Sequence, residues 1–202
     1  VHWIKRCLGI FDHHTWVAPY HLTIPAGWTT EHFSLPPEFA PQITFQGVED
    51  IRFAPGWGDS KSDEHWAYSF LWWLEGSPKI DAGILQANLK AYYDGLVSRN
   101  IAGVPANKLV PTAVNIKKAT TASGDSETFN GTINMFDYHT QQPMTLNCLI
   151  HIKECKDQKH TAIYFELSPK PSVHPVWKKM NLIGDSFDCK KKSVNGSPIN
   201  PP

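Results

Sequence analysis

The densest set of reactive side chains in this sequence lies between Gly58 and His65, in the run GDSKSDEH. Asp59, Asp63, Glu64 and His65 stand close enough for a carboxylate to meet an imidazole. That pairing does general acid–base work, and the same groups ligate divalent metals. His65 with Asp59 or Asp63 is therefore the candidate catalytic set. Gly, Asp and Ser are also the residues a chain uses to turn, so the run reads equally well as a polar loop. A second set stands near the N-terminus: Asp12, His13, His14 and His21. Their side chains suit zinc, but the spacing is not H-E-x-x-H. Adjacent histidines in an extended segment point in opposite directions, so only one of His13 and His14 could join a site. The segment reads first as a polar, histidine-rich loop and no metal is expected; His13 and His21, with His65, are the ligands to test if one binds.

Two further patterns carry weaker signals. Gly-Asp-Ser occurs at Gly58, Gly124 and Gly184, and Asp157 precedes His160 by three residues. A serine early and an Asp–His pair late are the ingredients of a hydrolase triad. Such a triad is a matter of geometry rather than order, and here the Asp–His pair falls in a hairpin turn. No glycine-rich dinucleotide fingerprint, P-loop, nucleophile elbow or EF-hand loop is present, so no cofactor is expected.

The aromatic residues are the stronger signal. Four of the eight tryptophans, Trp57, Trp66, Trp72 and Trp73, fall between Gly47 and Gly76. The segment from Trp66 to Leu74 reads as a strand that is apolar on both sides. Trp66, Tyr68, Phe70, Trp72 and Leu74 share one face, and Ala67, Leu71 and Trp73 share the other. Such a strand is covered on both faces or lines a pocket. Exposed aromatic rings make platforms for flat ligands, and buried ones make core. Trp57, Trp66 and Trp73 are the candidate ligand-binding residues, with Trp57 the most accessible because it follows Pro55-Gly56 in a loop.

The elements that must position these groups follow from periodicity. Residues 1–42 read as an irregular arm with one or two short strands, docked on the body by Trp16, Trp28, Phe33 and Phe39. Ile43 to Phe53 alternates as a strand, broken at Gln46-Gly47. Asp81 to Asn100 is the one long helix. Asp81 caps it, and Leu85, Leu89, Tyr92 and Leu96 form its apolar stripe. Gly95 fits where that helix lies close against a sheet. Four one-faced strands follow at Val110–Lys118, Phe129–Tyr138, Met144–Ile152 and Thr161–Leu167, joined by short turns as in an antiparallel meander. Pro175 opens a short C-terminal helix. The expected fold is α+β, a curved, mainly antiparallel sheet of about six strands packed on one long central helix. It forms a single domain over 43–189, with a flexible polar tail at 190–202.

Cys148 falls on the core face of its strand and is expected as a buried thiol. Cys155 lies about 23 Å further along that strand, so any bridge joins it to Cys7 or Cys189. With 19 basic and 19 acidic residues the net charge is zero, which argues against nucleic acid as the partner. No apolar run suffices to span a bilayer. Charged residues make up only 19% of the chain, and 16 residues are proline. With the sequons at Asn130 and Asn195, this composition tilts towards a secreted or periplasmic home over a cytoplasmic one. The functional expectation is a non-catalytic domain that binds a small apolar, aromatic or sugar-like ligand, or a protein partner, through the surface near Trp57, Trp66 and Trp73. The alternatives are a hydrolase or isomerase built on His65, and a structural subunit whose tryptophans are core and interface.

Overall fold

The computed structural model describes residues 15–190. Seven strands form one antiparallel sheet: β1 (Thr29–Leu35), β2 (Gly47–Phe53), β3 (Tyr68–Glu75), β4 (Ala113–Lys118), β5 (Glu127–Asp137), β6 (Gln142–Cys155) and β7 (His160–Ser168). Their spatial order is β1-β2-β3-β7-β6-β5-β4. The last four strands are a meander that folds back so that β7 pairs with β3. The described residues also form two α-helices, α1 (Ala82–Asn100) and α2 (Pro175–Asp185), and two single-turn 3-10 helices. The α+β class and the antiparallel sheet are as expected, but the sheet has seven strands rather than about six. The additional one is β1, which lies within the segment read as an arm and pairs with β2 along its whole length.

The sheet is covered on both faces, and strand alternation decides which side chain goes where. Tyr68, Phe70, Trp72 and Leu74 of β3 join Leu85, Leu89, Tyr92 and Tyr93 of α1 in the larger core. Rings stack there directly, with Phe70 4.5 Å from Phe165 and 5.6 Å from Tyr92 between centroids. Ala67, Leu71 and Trp73 point to the opposite face. There they meet Tyr20, Leu22 and Trp28 from the N-terminal segment and Val176, Trp177, Met180 and Ile183 from α2. A buried network pins that cover to the sheet. The Tyr20 hydroxyl donates to Asp50, Arg52 also binds Asp50, and Arg52 Nε donates to the Thr23 carbonyl.

α1 starts as its sequence requires, with Asp81 accepting a hydrogen bond from the Ile84 backbone N–H at 2.9 Å. Its glycine has a different reason from the one expected. A Cβ on Gly95 would lie 1.9 Å from the carbonyl oxygen of Phe39, so the close approach is to the β1–β2 connection and not to the sheet. Cys148 is a buried free thiol, and burial raises its pKa far above the ordinary range. Cys155 is bridged to Cys189, one of the two partners left open by the spacing. The segment 190–202 read as a tail lies outside the described residues apart from Lys190.

Candidate functional site

Between β2 and β3 the chain makes a compact loop instead of a tight hairpin. Backbone hydrogen bonds close it in successive turns, Trp57 N–H to Ala54, Asp59 N–H to Gly56 and Ser62 N–H to Asp59. Trp66 N–H then returns to the Trp57 carbonyl at 3.0 Å, so the two tryptophans end side by side with ring centroids 5.5 Å apart. Trp66 adopts a left-handed backbone with φ of +56°. That region is costly for a bulky residue and persists only where the surroundings enforce it. Here the enforcing contact is specific. The Trp66 indole N–H donates to Asp137 Oδ1 at 2.9 Å.

Trp57 and Trp66 form one wall of a cavity of about 580 Å³ under the C-terminal half of α1. Phe53, Tyr68 and Tyr92 continue the lining, and Glu31, Arg99 and Asn100 are polar members of it. The Trp57 indole N–H is buried and has no hydrogen-bond partner among the described residues. Beneath this region Glu49 of β2 is fully buried, with its carboxyl facing Tyr92 and Trp72. Burial pushes its pKa up to about 8, with Tyr92 and Trp72 opposing the shift. Burial thus favours the neutral, protonated form of Glu49.

At one end of this wall three ionisable groups converge. His65 precedes Trp66, Asp137 ends β5, and His139 stands in the β5–β6 turn. His65 Nε2 lies 3.3 Å from His139 Nδ1 and 3.9 Å from Asp137 Oδ2. The Asp137 carboxylate is held by three donors: the Trp66 indole, the His139 backbone N–H at 2.8 Å and the Thr140 hydroxyl at 2.6 Å. Burial acts to raise its pKa, but these donors and nearby His65 outweigh burial and keep it below the ordinary value. The His139 ring is itself clasped by Trp57 at 5.2 Å and Trp66 at 5.3 Å.

The residues singled out from the sequence separate into groups. Trp57, Trp66 and His65 come together. Asp59 and Asp63 point elsewhere: Asp59 accepts from the Lys61 backbone N–H, and Asp63 pairs with Lys170 at 2.9 Å on the surface. Glu64 pairs with Lys179 at 2.7 Å. Trp73 lies on the opposite face of the sheet, 4% exposed, stacked on His160 at 4.6 Å. His21 forms a β-bridge with Asp188 and is not one of the groups gathered around His65. His13 lies outside the described residues. Asp137 and His139 were not singled out by sequence. Their one signal was a polar pair flanking Tyr138 where an apolar strand ends.

A second, smaller cavity of about 280 Å³ opens on the other face, between β6, β7 and α2. His151 binds Asp125 Oδ2 through Nδ1 at 2.7 Å and approaches Glu166 Oε1 through Nε2 at 3.6 Å. Glu166 is 1% exposed, and its other oxygen has no partner among the described residues. Burial, with Asp185 and Asp125 adding repulsion, pushes its pKa up to about 8. No protein-family model matches this sequence, and no curated protein matches it. The chemistry has to be read from these side chains themselves.

Proposed function

We propose that this chain is a binding domain for a small, flat, largely apolar molecule that carries a hydrogen-bond acceptor. The observation that supports it is the aromatic cavity beside Trp57. Its volume of about 580 Å³ falls in the usual range for small-molecule sites. Its walls are mainly rings, which favour stacking, and the Trp57 N–H, without a partner among the described residues, is the donor that a small shift of the ring would offer to a bound acceptor. The charged residues in its lining are Glu31, His32 and Arg99, and His32 is already bound to Asp50 at 2.9 Å. The lining thus favours holding a molecule over transforming it.

The probe is 8-anilinonaphthalene-1-sulfonate, a flat fluorophore with acceptor oxygens. The folded chain should bind about one equivalent with enhanced fluorescence. Trp57→Phe keeps the ring and removes the N–H, so affinity should fall roughly fivefold, the worth of one neutral hydrogen bond. Leu96→Trp should fill the cavity and abolish binding. Equal binding by both variants and the original chain would sink the proposal.

The Asp125–His151–Glu166 array favours a second reading, a hydrolase working in the smaller cavity. His151 Nε2 would take the proton of an attacking water while the protonated Glu166 gives its proton to the leaving oxygen. p-Nitrophenyl acetate should then be hydrolysed by the original chain and by Trp57→Phe, but not by His151→Gln. No hydrolysis above buffer would reject this reading.

The Cys155–Cys189 bridge supports an oxidising home, secreted or periplasmic, for the protein. Among the described residues no helix is long and apolar enough to cross a membrane.

A further inference from the structure

His65, Asp137 and His139 bring two imidazole nitrogens and a carboxylate oxygen to one place from two separate segments of chain. Among the described residues this is the one group of three such side chains whose ligand atoms all lie within 4.8 Å of one another. The separations bear on what belongs between them. Tetrahedral zinc with nitrogen ligands at about 2.0–2.1 Å sets neighbouring donors roughly 3.3–3.4 Å apart. His65 Nε2 and His139 Nδ1 stand 3.3 Å apart, and His65 Nε2 and Asp137 Oδ2 3.9 Å. The third separation, from His139 Nδ1 to Asp137 Oδ2, lies within 4.8 Å, so a shift of Asp137 by at most about 1.5 Å would complete a ligand face.

The supporting contacts are those of a ligand set. Metal-bound carboxylates are oriented by hydrogen bonds from outside the coordination sphere. Asp137 receives three, from Trp66, Thr140 and the His139 backbone. One of these donors sits on the left-handed backbone of Trp66, whose cost is concentrated next to the three groups. His139 is fixed in orientation by the rings of Trp57 and Trp66.

We infer that His65 Nε2, His139 Nδ1 and Asp137 Oδ2 form a binding site for a divalent zinc-like cation at the end of the aromatic cavity. Three protein ligands leave a fourth position for water or for a donor atom of a bound molecule. Trp57 and Trp66 belong to the lining of the cavity and also pack on His139, so the cation and a cavity ligand would share a wall. The site does not depend on the cavity being a ligand site, because the cation is its own probe.

The test is calorimetric titration of Zn²⁺ into the full chain after chelator treatment. One saturating equivalent is expected. His65→Gln and His139→Ala should each weaken it at least ~10-fold. The double variant His13→Gln, His14→Gln and the single variant His151→Gln should bind as the original chain does. No saturable binding at about 100 µM Zn²⁺, where a site of ordinary zinc affinity is fully occupied, would overturn the inference. So would binding that survives loss of His65 and His139, or that follows His13 and His14 instead. Mass-spectrometric mapping on the unaltered chain covers the case in which a variant fails to fold. Zn²⁺ should protect His65 and His139 from diethyl pyrocarbonate, and unchanged labelling of both would also overturn the site.

Discussion

At the scale of single residues, the two buried glutamic acids have the clearest consequence. Glu49 ionises near 4.5 in the unfolded chain and at about 8 in the folded one, and Glu166 does the same. Between those values the folded state keeps a proton that the unfolded state has released. The stability linked to each group is therefore fully present below about pH 4.5 and is lost as pH rises through 8. The slope approaches about 1.4 kcal/mol per pH unit for each carboxyl. Urea unfolding of Glu49→Gln should show a visibly shallower fall in stability from pH 5 to pH 8 than the original chain. An unchanged slope would mean that Glu49 is ionised in the fold. Both residues stand on polar-looking positions of the sequence, Glu49 in GVEDIRF and Glu166 in IYFELS. Their burial was not legible there, because a charge symbol does not say which face its strand presents.

At the scale of elements, α1 is the piece whose sequence and structure agree most closely. Asp81 caps it, and Leu85, Leu89 and Tyr92 are buried. Leu89→Ala should cost about 2–5 kcal/mol of unfolding free energy as a core truncation, read from chemical denaturation. A change inside ±0.5 kcal/mol, the range of a surface site, would contradict its burial. Gly95→Ala inverts the usual expectation for a helix. Alanine is favoured over glycine there by about 1 kcal/mol, yet the new methyl would meet the Phe39 carbonyl at 1.9 Å. The variant should unfold at lower urea, because the clash with backbone outweighs the propensity gain. A stabilised variant would show that the β1–β2 connection yields easily. The loop before β3 shows the opposite relation between sequence and structure. Its acidic residues looked like the chemical part, yet Asp63 and Glu64 hold lysines of distant segments while the tryptophans beside them shape the cavity.

At the scale of the whole molecule, two covers hold one sheet. α1 packs on one face, and α2 with the N-terminal segment packs on the other. The Cys155–Cys189 bridge joins the end of β6 to the segment just after α2, across a separation of 34 residues. Removing a loop closure of that length should cost about 3–4 kcal/mol by the chain-entropy relation. Cys189→Ser should therefore melt markedly lower by calorimetry, and reduction of the original chain should produce the same drop. Equal melting temperatures would mean that packing of α2 on Tyr164 and Leu71 already fixes the segment.

Periodicity alone determined the fold class, the long helix with its cap, the faces of the meander strands, the buried Cys148 and the two-sided burial of β3. Each of these is local, since a face or a cap is set by residues within a few positions of one another. The sequence places β1 only among the short strands of the arm and not in the sheet, because it is an edge strand whose pattern, TTEHFSL, carries little apolar alternation. The gathering of His65 with Asp137 and His139, and of Asp125 with His151 and Glu166, was decided only by tertiary structure. Residues 65 and 139 are neighbours because the sheet order brings the β2–β3 loop and the β5–β6 turn to the same end of the molecule. Strand order is a long-range property, fixed when β7 pairs with β3 across more than eighty residues of chain. No window of sequence contains both partners of that pairing, so the site exists only once the sheet has closed.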